Sequence, residues 1–338
     1  MVGAPAPPAP GSNTGRRARA LVVGVVLFVA GFFVPRVVDD PFQVGVAIDG
    51  VLLGMVALAV GFLIHKCALV SLGHAAFFGG AAYVVAIGTT EWEWHPGVAV
   101  AIAIASATTF ALLTGALIVR VPGISFAVLT LAIGQALYVL SVQSSVRPLT
   151  GGFDGRSVSY DGTIFGYGPR EFGDPERFWP IAWIALSAAC LALWLLSRSR
   201  WGLTLEAIRE NEERARFCGI STYIPRLLAF ALSGAIAAVA GALFALNTAF
   251  VAPDSLHWTT SANALVAAIV GGVGSIVGPP IGALLYVFAR ERFATSGDLQ
   301  FYTGIALVVV LVLAPAGISG TIGKGARRLW ATVGRSGR

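Results

Sequence analysis

The chain has 338 residues, of which 56% are hydrophobic and only 12% are Asp, Glu, Lys or Arg. A soluble protein carries about twice that charged fraction, so the composition excludes an ordinary soluble domain and indicates a membrane protein. The formal net charge is +6, but the basic residues cluster before the first apolar run, in one central loop and after the last run. That clustering is typical of cytoplasmic loops, and it argues against a nucleic-acid partner.

Apolar runs recur along the chain at about the 20 residues that a helix needs to cross a lipid bilayer. A span in lipid has to satisfy its own backbone polar groups, so continuously apolar runs predict helices and an all-α polytopic bundle. We predict spans at about 19–36, 42–64, 71–90, 97–119, 123–142, 178–197 and 225–250.

The region 259–290 does not fit a single span, because one crossing here would send the next span (299–318) and the basic tail to the outside. A break at the glycine-rich stretch 271–275 gives two shorter segments and returns the tail to the cytoplasm. We therefore predict about 8–10 spans, including broken or half-spanning helices, with both termini cytoplasmic.

The ends of the chain differ in composition from the apolar part. Residues 1–18 begin with a Pro-, Ala- and Gly-rich stretch and predict a disordered tail. Residues 19–320 are expected to form one membrane domain, and 321–338 a basic cytoplasmic tail.

Polar and small residues inside the predicted spans are candidates for a translocation pathway. Polar groups are costly in lipid and tend to face a cavity or a partner, and small residues let helices approach closely. The alternatives are a static packing ladder and, for neutral His74, a structural hydrogen-bonding role. The pathway candidates are Ser71, Gly73, His74, Thr130, Gly272, Gly274 and Ser275.

The outer loop at about 143–177 is long for a simple connection, and loops of that length are often functional. Its glycine cluster predicts a defined turn and not only a solvated loop. The candidate residues of this loop are Thr150, Gly151, Gly152, Asp154 and Gly155.

The segment 206–219 concentrates paired charges between two apolar runs. On a helix, Glu210 and Arg214 would lie four residues apart, as would Glu212 and Arg216, in the favourable order. The segment predicts a short amphipathic helix on the cytoplasmic side that docks onto a partner; the alternative is a solvated connector. The candidate coupling residues are Glu206, Ala207, Arg209, Glu210, Glu212, Ala215 and Gly219.

The sequence contains no pattern that predicts catalysis, metal binding or ATP binding. It has no Ser-His-Asp or paired-carboxylate arrangement, its three cysteines form no CxxC pair, and it lacks a Walker A pattern. We therefore expect a non-enzyme with no catalytic residues, metal or cofactor. A secondary transporter or channel would need an ion-coupling carboxylate, which we do not find in spans three to seven. A scaffold would need neither the long loop nor the docking helix.

Five motifs together resemble the permeases of branched-chain amino acid ABC importers, the LivM-type inner-membrane subunit. They are SLGHAAFF at 71–78, GISFAVLTL at 123–131, LTGGFDG at 149–155, EAIRENEERA at 206–215 and VGGVGSIVGP at 270–279. The resemblance covers about residues 45–320.

The resemblance implies a multi-pass protein of the bacterial inner membrane that assembles with other subunits. These are a second related permease, two cytoplasmic ATPases that bind ATP and Mg, and an extracytoplasmic substrate-binding protein. Residues 203–219 would form the coupling helix on an ATPase, and the glycine-bearing outer loop would face the binding protein. The implied solutes are branched-chain amino acids; the same family also serves urea, short amides and some aromatic acids.

Overall fold

The structure is a computed structural model. It describes residues 28–294 apart from 39, 122 and 165, together with 26, 304 and 317–321. The predicted tails 1–18 and 321–338 and the predicted last span 299–318 therefore lie almost entirely outside the described residues.

Helices dominate the described part of the chain. They are α1 (Val34–Val37), α2 (Pro41–Cys67), α3 (His74–Thr90), α4 (Pro96–Ile118), α5 (Ile124–Val142), α6 (Arg147–Thr150), α7 (Pro169–Gly173), α8 (Pro175–Arg198), α9 (Arg200–Glu210), α10 (Glu212–Phe217), α11 (Tyr223–Thr248), α12 (Trp258–Gly271) and α13 (Gly278–Ala294). Two short strands, β1 (Arg156–Ser157) and β2 (Phe250–Val251), and two 3-10 segments, Gly152–Asp154 and Pro253–Leu256, complete it.

Among the described helices, α2, α4, α5, α8 and α11 are long and apolar enough to cross a membrane. Helices α3 and α12 are apolar but shorter. The predicted all-α polytopic bundle is confirmed, and its helices begin and end within a few residues of the predicted spans. The total number of spans stays a prediction, because the predicted first and last spans lie partly or wholly outside the described residues.

Helices α2 and α11 form the centre of the bundle. The most apolar stretches of α2 and α11 are 83% and 67% buried, whereas those of α4, α5 and α8 are only 22–28% buried. Helix α3 packs directly against α11, where a Cβ on Gly241 would overlap the Phe78 carbonyl. The outer helices instead present large apolar side chains such as Leu117 and Ile124, which are 77% and 84% exposed.

The predicted break within 259–290 is confirmed, since α12 ends at Gly271 and α13 begins at Gly278. The two helices then turn back on each other, and a Cβ on Gly282 would overlap the Ala267 carbonyl. Along α2, Gly50 faces Leu284 and Gly61 faces Pro279. Helix α13 therefore runs antiparallel to α2, toward the end of the bundle where α2 begins.

The bundle has two distinct ends. At the first, which we call the Arg156 end, β1 pairs antiparallel with β2 and ties the long loop to the segment after α11. Thr90, the last residue of α3, donates a hydrogen bond to the Ser157 carbonyl there. At the opposite end, which we call the Lys66 end, α9 and α10 lie beside the last turn of α2. The sequence predicts that the Arg156 end is outside and the Lys66 end is cytoplasmic.

Candidate docking surface and solute pathway

The charged segment at the Lys66 end forms two helices, not the single helix that the sequence predicts. Asn211 has an extended backbone, with φ −160° and ψ 104°, and its side chain accepts a hydrogen bond from the Arg214 amide. It thereby ends α9 and caps α10. Glu210 and Arg214 fall on different helices, and no ion pair joins them in the part of the chain that the structure describes. The other expected pair is present, with 2.7 Å between Arg216 Nη2 and Glu212 Oε1.

The apolar side of this segment faces the bundle. Leu205, Ile208 and Ala215 are all at most 5% exposed. The Trp201 ring lies 6.1 Å from the ring of Phe62 on α2. These contacts bury one side of α9 and α10 and leave the other side outward.

An ion pair with α2 fixes the position of α9. Lys66, in the last turn of α2, donates to the carboxylate of Glu206. The Lys66 side chain is only 6% exposed, whereas that of Glu206 is 44% exposed. The amine is a buried charge that depends on this carboxylate. Glu206 was predicted to face a partner, but its carboxylate is engaged within its own chain.

A second cluster fixes the position of α10 against α11. Glu212 accepts hydrogen bonds from Arg226 at 2.7 Å, Arg216 at 2.7 Å and Thr222 at 3.1 Å. Burial acts to raise the pKa of Glu212, but the hydrogen bonds from Arg226, Thr222 and Arg216 outweigh it, and the net pKa is below the ordinary value. The carboxylate is therefore ionised, and it links the two helices.

The outward side of α9 and α10 forms what we call the docking surface. It consists of Leu203, Ala207, Arg209, Glu210, Phe217 and Gly219, all of them exposed. Its apolar members project strongly, with Leu203 59% and Phe217 92% exposed. Four of the predicted coupling residues thus face outward, whereas Glu206, Glu212 and Ala215 hold the helices in place. The surface combines charges with two apolar side chains, as protein-docking sites do.

His74, the ionisable candidate for the pathway, is fully buried at the start of α3. Its Nδ1 lies 3.0 Å from Ser71 Oγ and its Nε2 lies 3.1 Å from Ser233 Oγ. The Ser233 hydroxyl donates to the Phe230 carbonyl, so it accepts from the imidazole. This pattern places a proton on Nε2 and leaves neither ring nitrogen without a hydrogen-bond partner. The arrangement supports the structural alternative for His74.

Leu72, Gly73 and Thr130 join the start of α3 to α5. The Thr130 hydroxyl accepts from the Leu72 amide at 3.1 Å and donates to the Ala127 carbonyl at 2.9 Å. A Cβ on Gly73 would overlap the carbonyl oxygen of Thr130. Ser71, His74 and Thr130 are each at most 2% exposed in the single chain. A lining role for them stays a prediction.

Gly272, Gly274 and Ser275 form the turn between α12 and α13. Gly272 has φ +98°, which favours glycine. Gly274 is exposed with open space around it, and the Ser275 hydroxyl accepts from the Gly278 amide at 3.0 Å. Ser261, near the start of α12, accepts a hydrogen bond from the Ala75 amide beside the Ser71–His74 cluster, whereas the turn lies at the far end of α12, about 15 Å further along the helix.

The glycine cluster of the outer loop forms a defined turn, as predicted. Gly151, Gly152 and Gly155 have φ values of +78°, +61° and +69°. The Thr150 hydroxyl donates to the Ser141 carbonyl at 2.6 Å. Phe153, at the tip of this turn, is 77% exposed.

Arg156 holds the turn in place. Its guanidinium donates to the carbonyls of Pro148 and Leu149 at 3.0 and 2.7 Å and pairs with Glu91 at the end of α3. Asp154 pairs with Arg147 at 3.0 Å on the exposed side. No local sequence pattern predicts these contacts of Arg156.

A helical bundle in which five of the described helices are long and apolar enough to cross a membrane is the fold of a multi-pass membrane protein. The chain belongs to the family described as branched-chain amino acid transport system permease component, which matches residues 43–315. It is therefore an ABC-type permease of that family.

Individual relatives agree with the family. The LivM permease protein of Escherichia coli K12 is 28% identical over 92% of this chain and 77% of its own length. LivM of Salmonella typhimurium is 27% identical over 78% of this chain and 67% of its own length. The autoinducer 2 import permease LsrC of Klebsiella pneumoniae is 33% identical, over 40% of this chain and 42% of its own. No solved structure matches the chain.

Proposed function

We propose that the chain is the permease subunit of an ABC importer of the bacterial inner membrane, and that it translocates a small amino-acid-type solute, foremost branched-chain amino acids. The observation that carries this proposal is the family match over 43–315, together with the similarity to LivM over 92% of the chain. The LsrC relatives, named for autoinducer 2 import, match over only 40%. The LsrC matches therefore support autoinducer 2 as the solute less than the LivM match supports branched-chain amino acids.

The sequence contains no Walker A pattern, which supports partner subunits as the source of energy for transport. We propose two cytoplasmic ATPases that bind ATP and Mg, a second related permease and an extracytoplasmic substrate-binding protein. The docking surface supports an ATPase contact, and the fixed turn with its exposed Phe153 supports a contact with the binding protein. On this proposal the Lys66 end and both termini are cytoplasmic, and the chain is a transport subunit without enzymatic activity.

The contacts of the docking surface suggest how ATPase movement reaches the solute route. Helix α9 is tied to α2 through Lys66, and α10 is tied to α11 through Arg226. These are the two most buried spans. Helix α2 in turn packs along α13, and α11 packs along α3. A displacement of the docking surface would therefore act on the centre of the bundle and on both helices beside the candidate pathway.

Reconstitution tests this proposal. The chain, its second permease, both ATPases and the binding protein are placed in liposomes, and uptake of labelled leucine, isoleucine and valine is measured with ATP inside. We expect uptake that requires ATP and the binding protein and that stops when the Walker A lysine of the ATPases is replaced. Uptake without the ATPases would contradict the importer class. ATP-driven uptake of urea or autoinducer 2 in place of amino acids would contradict the solute.

A further inference from the structure

Tyr83, near the middle of α3, has a hydroxyl without a visible partner. The residue is only 5% exposed, and its phenolic oxygen has no hydrogen bond among the described residues. A buried polar atom left unpaired costs about 1–3 kcal/mol. Such atoms in folded proteins indicate an unseen water or ligand. The surroundings of Tyr83 show which of these fits.

The 3-10 segment Pro253–Leu256 packs against α3 at Gly79, one helical turn before Tyr83. A Cβ on Gly79 would lie 2.7 Å from the backbone of Ser255. Gly79 is about 16 Å from the Thr90 end of α3, at 1.5 Å of rise per residue. On the other side, the His257 ring lies 4.9 Å from that of Tyr138 on α5. The segment thus fills a gap between α3 and α5.

Non-helical backbone at membrane depth is stable only where protein covers it or where it lines a water-filled space. The buried residues of the segment, Pro253, Ser255 and Leu256, meet the first condition. Asp254 is exposed in the single chain, and its carboxylate has no ion pair or hydrogen bond within the described part of the chain. A charge that faced lipid at the bilayer centre would cost about 2.5–3.5 kcal/mol even on insertion scales. Asp254 therefore faces water or a polar ligand.

Asp254 and Tyr83 belong to one site. Asp254 directly precedes Ser255, whose backbone packs against Gly79, and Tyr83 lies one helical turn beyond Gly79 on the same side of α3. One group carries a negative charge, and the other has an unused donor and acceptor. No basic side chain of the described residues pairs with Asp254. The site lacks a cation, and an incoming solute can supply one.

We propose that Asp254 and Tyr83 form a subsite in the solute route that binds the ammonium group of an amino-acid-type solute. This rests on the proposed function and narrows its solute class to amines. The carboxylate accepts hydrogen bonds from the ammonium group and balances its charge as it leaves water, and the Tyr83 oxygen accepts another. A carboxylic acid without an amine would be repelled. Gly79 makes the site possible, since any side chain there would displace the segment that carries Asp254.

Labelling of position 254 tests whether the site is open to solute. Cys67, Cys190 and Cys218 are replaced by Ser, and Asp254→Cys is introduced into the full complex in vesicles. We expect the water-soluble ethylammonium and ethylsulfonate thiosulfonates both to label position 254 from outside. Saturating leucine should slow that labelling at least about fivefold, as bound solute covers the thiol. The control, Asp161→Cys in the exposed outer loop, should label with no effect of leucine.

Uptake by charge variants tests the role of the carboxylate. In the reconstituted importer, Asp254→Asn should lower leucine uptake about tenfold, because a charge-assisted hydrogen bond is lost. Asp254→Glu should keep at least about a third of it, since the charge remains. Assembly with the other subunits should be unchanged in both, and Asp161→Asn should transport normally. Tyr83→Phe should lower uptake about threefold through loss of one hydrogen bond.

Separate outcomes overturn the subsite and the proposed function. An unreactive Cys at position 254, labelling that leucine does not slow, or uptake by Asp254→Asn within about twofold of wild type would each overturn the subsite while ATP-driven uptake by the wild-type complex stands. A wild-type complex that takes up no amino acid would overturn the proposed function, and the subsite with it. If Asp254→Asn fails to assemble, the labelling result and Tyr83→Phe decide.

Discussion

The two ends of the bundle are held in place by different kinds of interaction. At the Lys66 end, α9 and α10 are attached through side chains, by the pairs Lys66–Glu206 and Arg226–Glu212. At the Arg156 end, the long loop is attached through the backbone, by the β1–β2 pairing and a turn with positive φ at three glycines. Arg156 also donates two of its hydrogen bonds to backbone carbonyls.

The difference matches what each end is proposed to do. Ion pairs between long side chains can keep contact while two helices shift by a rotamer change, so they suit a surface that passes on movement. A turn fixed by glycine φ values and strand hydrogen bonds has no such freedom. Such a turn suits a binding surface that keeps one conformation when a partner binds. The comparison predicts that Gly155 at the Arg156 end tolerates no added Cβ, whereas charges at the Lys66 end can be exchanged.

The largest effect is expected for Gly155→Val at the Arg156 end. A Cβ there would lie 2.6 Å from the Phe250 ring and 2.7 Å from the Val251 carbonyl, at φ +69°. We expect the yield of monodisperse protein in size-exclusion chromatography to fall at least about fivefold, because strain of about 1–3 kcal/mol adds to the overlap. The matched control is Gly166→Val, where φ is +85° but nothing lies within 4 Å. Equal losses in both variants would show that packing against β2 does not matter.

The next effect concerns the pair between α2 and α9. Glu206→Lys leaves the buried Lys66 facing a like charge, and we expect uptake to fall about tenfold with the permease still inserted. The exchanged pair, Lys66→Glu with Glu206→Lys, should recover about half of the loss. Uptake by the reconstituted complex is the measurement. A double variant no better than Glu206→Lys would mean that Glu206 acts through a partner and not through Lys66.

A smaller effect separates the two arginines that pair with Glu212. The Arg226 side chain is 14% exposed, and that of Arg216 is 65% exposed. We expect Arg226→Met to weaken co-purification with the ATPase and to destabilise the chain by about 1–3 kcal/mol, and Arg216→Met by less than about 0.5 kcal/mol. Thermal unfolding followed by tryptophan fluorescence compares them. A larger loss for Arg216→Met would reverse the assignment.

The smallest effect is a dependence on acid pH. Hydrogen bonds hold the folded pKa of Glu212 below its ordinary value. The contribution of Glu212 to the free energy of unfolding is therefore complete above the ordinary glutamate pKa of about 4.3. This contribution is lost as the pH falls through the lower pKa of the folded state. We expect Glu212→Gln to flatten the acid limb of the unfolding curve and to leave its shape at neutral pH unchanged. An unchanged acid limb would show that Glu212 contributes nothing at low pH.

Much of the fold could be predicted from local composition. Apolar length predicted the spans, and the glycine-rich stretch 271–275 predicted the break between α12 and α13. The break at Asn211 could not be predicted from charge spacing. The i,i+4 pairs favour one continuous helix, whereas the Asn211 side chain can cap a new helix, and the charges do not show which of the two occurs. Lys66 and Glu206 are 140 residues apart, so their contact depends on the packing of whole helices.

The depth of Asp254 illustrates the same limit. In sequence, Asp254 lies in the short connection between the predicted span 225–250 and the region 259–290. Its true position depends on Gly79, which leaves room for the Ser255 backbone on α3. The polarity of His74 predicted a pathway residue. Its two serine partners could not be predicted from the sequence, because only the fold brings them to the ring.

The central claim is that the Lys66 end binds the ATPase, and cross-linking at Phe217 tests it most directly. A chain with the native cysteines replaced and Phe217→Cys introduced is assembled with the ATPases and treated with a short thiol-to-amine cross-linker. The matched control carries its single cysteine at Asp161→Cys. We predict a covalent adduct between permease and ATPase from position 217 and none from position 161. An adduct from position 161, or none from 217 in a complex that still transports, would contradict the account.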